Sequence, residues 1–154
     1  MRYATRDQLE DVWGAAFVAG LLPADIAGPA EDGEPDPEAI AIAVAAAIEG
    51  ALELASREID LHLSARYTLP LPVPPAVLVT PCANIAVYIL ANRHTALTET
   101  IEDRYEQATK LLERIAEGKA GLGADEPSVA GSDASAGGAA FSADERLFRR
   151  GPLQ

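Results

Sequence analysis

What this chain has least of is the best guide to it. A single cysteine, Cys82, excludes an internal disulfide and fits a reducing compartment. Set among apolar neighbours, it reads as a small core residue rather than a catalytic thiol. Aromatics are 5% of a chain that is 49% apolar, so any core must be assembled from Ala, Leu, Ile and Val. Basic residues are scarce. Residues 1–118 hold 19 acids and 8 bases, a net −11, and residues 119–154 hold 5 acids and 4 bases, a net −1. A surface of that sign does not grip nucleic acid through its phosphates. No uninterrupted apolar run reaches the roughly 20 residues of a membrane helix. Met1-Arg-Tyr-Ala-Thr-Arg-Asp7 also lacks the apolar segment of a signal peptide, so no membrane partner is expected.

Catalytic signatures are missing as well. There is no Gly-rich phosphate loop, no cysteine pair, no His-Glu-x-x-His and no Gly-x-Ser-x-Gly. The two histidines, His62 and His94, would need a carboxylate such as Asp60 to hold a metal; one exposed and one partly buried imidazole is the expected arrangement. Between Pro23 and Glu38 lie Asp25, Glu31, Asp32, Glu34, Asp36 and Glu38 without a base, but not at calcium-loop spacing. That stretch reads as a solvated or partner-facing loop. No enzymatic activity, metal or cofactor is expected.

What is present is helical. Asp36 is a good N-cap and Pro37 suits the first helical position. From there Val44, Ile48, Leu52, Ala55, Ile59 and Leu63 hold a stripe for about five turns. Alanines 41, 45, 46, 47 and 51 add propensity and permit close approach by another helix. The helix should end near Arg66-Tyr67, because Thr68-Leu-Pro-Leu-Pro-Val-Pro-Pro75 cannot continue it. Four prolines in six residues make a stiff corner that sets where the next helix begins.

Upstream, Thr5-Arg-Asp-Gln8 fits a capping box for a short helix carrying Leu9, Val12, Trp13 and Ala16, with a break at Gly14 and a second piece near Ala15–Leu22. Downstream, Ala76–Arg93 is apolar almost all round and should be buried, with Leu78, Cys82, Ile85 and Ile89 as its stripe and Val79, Ala86 and Leu90 beside it. Pro81 should either follow a Thr80 cap or kink this helix. Thr98 or Thr100 then caps a last helix to about Glu117, with Ile101, Tyr105, Ala108, Leu112 and Ile115 inward, a Glu106–Lys110 pair outward and Gly118 as its stop. The expected fold is all-α: a small bundle of about four helices with a long central pair and an extended C-terminal tail.

Three regions follow: a helical domain over 1–118, a Gly/Ala/Ser tether over 119–140 and a C-terminal segment over 141–154. The tether is too polar to fold alone. Its 21 residues from Ala120 to Ala140 have a typical span of roughly 25 Å. The segment beyond it carries Phe141, Leu147, Phe148, Arg146, Arg149 and Arg150, an apolar and basic tip that reads as a docking peptide.

Several stretches together resemble the Mu-like phage family of small head–tail joining proteins. They are Tyr3-Ala-Thr-Arg-Asp7, Glu58-Ile-Asp60, Ala65-Arg-Tyr-Thr-Leu-Pro-Leu71 with Pro74-Pro75, Arg104-Tyr-Glu-Gln-Ala-Thr-Lys-Leu-Leu112 before Ile115-Ala-Glu-Gly118, and Phe141-Ser. Thr80-Pro81 and Gly151-Pro-Leu-Gln154 depart from that family's pattern. The resemblance implies a virion protein of the head–tail junction, made in the bacterial cytoplasm. It would form a ring, twelve-fold, with copies of itself beneath the portal protein, next to a tail-side neck or tail-terminator protein. DNA would pass through that ring without tight binding. Docking on the portal would use Phe141, Leu147, Phe148, Arg149 and Arg150. The competing reading is an acidic helical binding or regulatory module for a basic protein partner.

Overall fold

The computed structural model describes residues 1–23, 25–28, 36–123 and 126. Five α-helices follow in order: α1 (Arg6–Trp13), α2 (Ala15–Gly20), α3 (Pro37–Leu63), α4 (Val79–Arg93) and α5 (Glu99–Ala116), with a 3₁₀ turn at Ala76–Leu78 before α4. No strand occurs among the described residues, and the fold is the expected all-α bundle.

Local chemistry explains each boundary. Thr5 accepts from the Gln8 amide at 3.3 Å while the Gln8 side chain accepts from the Thr5 amide at 2.9 Å, a complete capping box. Gly14 separates α1 from α2 at φ 87°, a backbone conformation closed to most other residues. Asp36 Oδ1 accepts from the Glu38 amide at 2.9 Å, with Pro37 behind it at the helix start.

Two boundaries differ from expectation. Helix α3 stops at Leu63, about one turn before Arg66-Tyr67; the Ser64 hydroxyl donates back to the Leu61 carbonyl at 2.7 Å, and the chain turns there. Helix α4 begins at Val79 with Leu78 as its cap, so Pro81 lies in the first turn and Thr80 is not the cap. First-turn amides have no partner within a helix, and a proline there breaks no hydrogen bond. Helix α5 closes as expected: the Gly118 amide bonds to the Ile115 carbonyl at 3.0 Å and the Lys119 amide to Arg114 at 2.8 Å, with Gly118 at φ 76°.

Helix α4 touches α1, α3 and α5 and is the centre of the bundle. Cys82, Ile85, Ala86 and Leu90 are buried on it, and so are Ala83, Val87 and Ala91. Val79 and Ile89 are only partly covered. Around it pack Ile48, Leu52, Ala55, Ile59 and Leu63 of α3, then Ile101, Ala108, Leu112 and Ile115 of α5. By length and average composition, Pro37–Leu63 and Ala76–Arg93 are both apolar enough to span a bilayer, although charges interrupt the first literal apolar run and Thr80, Asn84 and Asn92 the second. One of these helices is the core; the other is only half used by it.

Candidate assembly surfaces

Phe141, Leu147, Phe148, Arg149 and Arg150 lie outside the described residues, as do Glu31, Asp32 and Glu34 of the acidic stretch between Pro23 and Glu38. What is described is the point from which the C-terminal segment departs. Arg66 organises it. Its Nη1 donates to the Ile115 carbonyl at 3.4 Å and to the Ala120 carbonyl at 3.2 Å. Its Nη2 stands 3.3 Å from Glu126 Oε1, and its guanidinium lies 5.2 Å from the centre of the Tyr67 ring. The Tyr67 hydroxyl donates to the same Glu126 carboxylate. Burial, then the Glu126 hydrogen bond and charge, push the Tyr67 phenol up to about 12; the Arg66 charge pulls the other way. Leu122 is buried beside this group. The Ala-Arg-Tyr corner is thus a latch holding Ile115, Ala120 and Glu126 against the end of α3.

The opposite end of the chain is fastened to the same half of α3. The Tyr3 amide donates to Ser56 Oγ at 3.3 Å, the Tyr3 hydroxyl donates to Asp60, and the Met1 ammonium lies 3.6 Å from Asp60. Ser56 donates to the Leu52 carbonyl at 2.7 Å and sits 3.7 Å from Cys82 Sγ. Burial raises the Cys82 pKa, which disfavours the thiolate a nucleophile needs. Tyr105 of α5, stacked on Tyr88 at 4.0 Å, donates to Glu58 at 3.0 Å. Both His62 and His94 are partly buried, so neither is the fully exposed imidazole expected.

The first three turns of α3 have no such fastenings. None of residues 37–47 is fully buried. Ile42, Ala46, Gly50, Leu54 and Leu61 recur at helical spacing on the face turned away from the buried stripe. Ile42 is 64% exposed and Leu61 72%. A side chain added at Gly50 would meet nothing within 4 Å. This ridge runs about 28 Å at 1.5 Å per residue. The acids beside it already have partners: Glu49 pairs with Arg2, Glu53 with Arg57 and Asp60 with the Met1 ammonium, and Glu58 accepts from Tyr105.

A second apolar surface lies on the α4 side. Val73 of the proline corner and Val77 of the 3₁₀ turn after it are exposed. Next to them, a groove of ≈ 220 Å³ runs between the start of α4 and α5, lined by Val77, Thr80, Pro81, Asn84, Ala108 and Leu111 among others, none of them charged. Residues 67–92 contain no Asp, Glu, Lys or Arg at all. Asn84, at the groove wall, accepts from Trp13 Nε1 at 3.0 Å; Trp13 in turn stacks on Phe17 at 5.1 Å and under Arg104 at 4.2 Å. Sequence reading found the corner but missed the outer ridge and the latch. The ridge has a signal, Ile42-x₃-Ala46-x₃-Gly50-x₃-Leu54, masked by the stronger inward stripe. The latch has none, since 59 positions separate Tyr67 from Glu126.

A family model described as "Bacteriophage Mu, Gp36" matches residues 3–140. The Mu-like prophage FluMu protein gp36 of Haemophilus influenzae is 41% identical over 78 residues, 51% of this chain and 54% of that protein. Gene product J of Escherichia phage Mu is 35% identical over 99 residues, 64% of this chain and 63% of that protein. The chain therefore spans about half the length of the first relative and just under two thirds of the second. The family match ends one residue before Phe141.

Proposed function

The chain belongs to the Bacteriophage Mu, Gp36 family, and on that premise we propose that it is a structural virion protein, a subunit of the ring that connects head to tail. The ring lies beneath the portal, contains twelve copies, extends the DNA channel and meets a tail-side neck or tail-terminator protein below. The subunit is made in the host cytoplasm and ends in the virion. The observation that carries this reading is that residues 1–118 hold a net charge of −11 and the helical bundle nonetheless leaves Ile42, Leu54, Leu61, Val73 and Val77 in water. Exposed apolar surface of this kind marks interaction sites. An acidic wall lets DNA pass because like charges repel.

The C-terminal segment supplies the link to the portal. Phe141, Leu147 and Phe148 enter apolar pockets there, and Arg149 and Arg150 pair with acids at the rim. The latch at Glu126 anchors the tether that leads to this segment. Fourteen residues lie between Glu126 and Phe141, a typical reach of roughly 20 Å.

Deleting the gene from an inducible phage tests the connector role. DNA-filled heads and finished tails should accumulate unjoined, seen by electron microscopy. Complete infectious particles lacking the protein would refute the role, and presence in the lysate but never in particles would favour the acidic binding module. Removing residues 141–154 should leave helical content and melting temperature intact while abolishing portal binding. Loss of melting temperature with portal binding retained would assign the segment to the subunit's own fold.

A further inference from the structure

We propose that the outer ridge of α3 is one half of a head-to-tail interface whose other half is the uncharged groove at the start of α4 on a second copy of this chain. The proposal deepens the connector reading and rests on it for its setting, a closed ring. Three observations lead here.

The first is shape. The ridge is convex and carries Ile42, Leu54 and Leu61 proud of small residues at 46 and 50. The groove is concave, ≈ 220 Å³, with Val77 and Pro81 on its wall. The second is position. Helix α3 packs on α4 and α5 through its inward stripe, so the ridge faces away from them, whereas the groove lies between those two helices. Unlike patches on different sides of one molecule make heterologous contacts, which propagate around a ring rather than closing a two-fold dimer.

The third is charge. Copies of net −12 repel within a Debye length of about 10 Å at 0.1 M salt, so they can meet closely only where charge is absent or balanced. Residues 39–48 and 67–92 carry no charge. Four acids flank the ridge and each has a partner: Glu49 with Arg2, Glu53 with Arg57, Asp60 with the Met1 ammonium, and Glu58, which accepts from the Tyr105 hydroxyl. A basic partner would call for free carboxylates along the ridge, and a second copy calls for neutrality. The ridge offers about 300 Å² per partner, well below the roughly 800 Å² of a standard stable interface. The contact is therefore weak in solution and is completed by a template such as the portal.

Complementing variants test this on the full chain. The wild type should self-associate in sedimentation at high protein concentration, more strongly as salt screens the repulsion. Ile42→Asp with Leu61→Asp removes the ridge; Val77→Asp with Thr80→Glu removes the groove. All four positions are exposed, so both proteins should keep wild-type circular dichroism, and Leu54→Ser and Val77→Ser serve as milder versions. Each variant alone should associate more than about tenfold more weakly. Mixed, they should form a one-to-one dimer and nothing larger, because one intact ridge meets one intact groove. A wild type that stays monomeric at every salt concentration overturns the proposal. So does a mixture that fails to pair, or a groove variant that associates ridge to ridge. The connector reading fails on other evidence, the particle micrographs, so the two failures are separable.

Discussion

In the most apolar eighteen-residue window of Ala76–Arg93, which includes α4, 56% of the residues are buried; in that of α3 the figure is 28%, although α3 is the more apolar of the two. Composition alone ranks them the wrong way round. Neighbours decide the outcome: both helices touch α1, α5 and each other, but α4 is covered along nearly its whole length, whereas α3 has no fully buried residue over Pro37–Ala47. The contrast repeats within α3. From Glu49 to Leu63 it is fastened by Arg2, Tyr3 and Tyr105, and just past its end by the Arg66 latch. From Pro37 to Ala47 it lacks a fully buried residue. A helix that is apolar, long and half bare in its own subunit has surface left for another molecule.

The largest expected effect breaks the α4 side of the contrast. Ile85 is fully buried at the centre of the bundle, and Ile85→Asp places a carboxylate there without a partner. Such a burial costs several kcal/mol, a large part of the roughly 5–15 kcal/mol by which domains are stable. The variant should lose its cooperative melting transition. An unchanged melting curve would move α4 to the surface.

Next is the fastened half of α3. Arg66→Ala removes donors to Ile115, Ala120 and Glu126 at once. The loss should be about 1–3 kcal/mol, because the carbonyls and carboxylate lose a charged partner at a mostly covered site. Hydrogen exchange should accelerate at residues 115–123 and leave Pro37–Ala47 as it was. Acceleration at Pro37–Ala47 instead would mean that the two halves of α3 are not independent.

Alkaline titration loosens the same half more gently. Tyr67 and Tyr105 are pushed up to about 12 from 10.0, chiefly by burial and then by their carboxylate partners. Their neutral forms are favoured in the folded state, so this stability is fully present below pH 10. Between about pH 10 and 12 the unfolded chain loses these protons and the folded chain keeps them, and stability falls as pH rises. The melting temperature should decline over that window, with Tyr67→Phe flattening the decline. A melting temperature level from pH 9 to 12 would contradict the burial of these phenols.

Much of this fold is legible because it is local. The Thr5–Gln8 box, the Asp36–Pro37 start, the Glu106–Lys110 pair and the Gly118 stop each span a few residues, and fixed helical spacing states the chemistry. Pro81 misleads because a proline in the first helical turn and one that kinks a helix read alike until the start is known. The end of α3 misleads by about a turn because Arg66 and Tyr67 are helix-compatible residues used instead in a latch. The candidate surfaces are less legible. The sequence supplies Ile42, Leu54 and Leu61 at a helical period, but an apolar position reads as core unless the partner on that side is known to be absent.

The smallest expected effect is the most telling about that ridge. Ile42→Asp replaces a side chain that is 64% exposed, so little transfer free energy is lost. The new carboxylate stands in water about one and a half turns from the α3 start at Pro37, where its hydration is kept. Surface changes of this kind stay within about 0.5 kcal/mol. The isolated subunit should therefore melt as the wild type does, while Ile85→Asp, also an isoleucine exchanged for aspartate, unfolds it. Should Ile42→Asp also cost several kcal/mol, the first turns of α3 would be part of the subunit's own core, and the exposed ridge would lose its standing as an assembly surface. If the melting curve is unchanged and self-association is lost, the apolar excess of α3 over α4 belongs to the assembly and not to the fold.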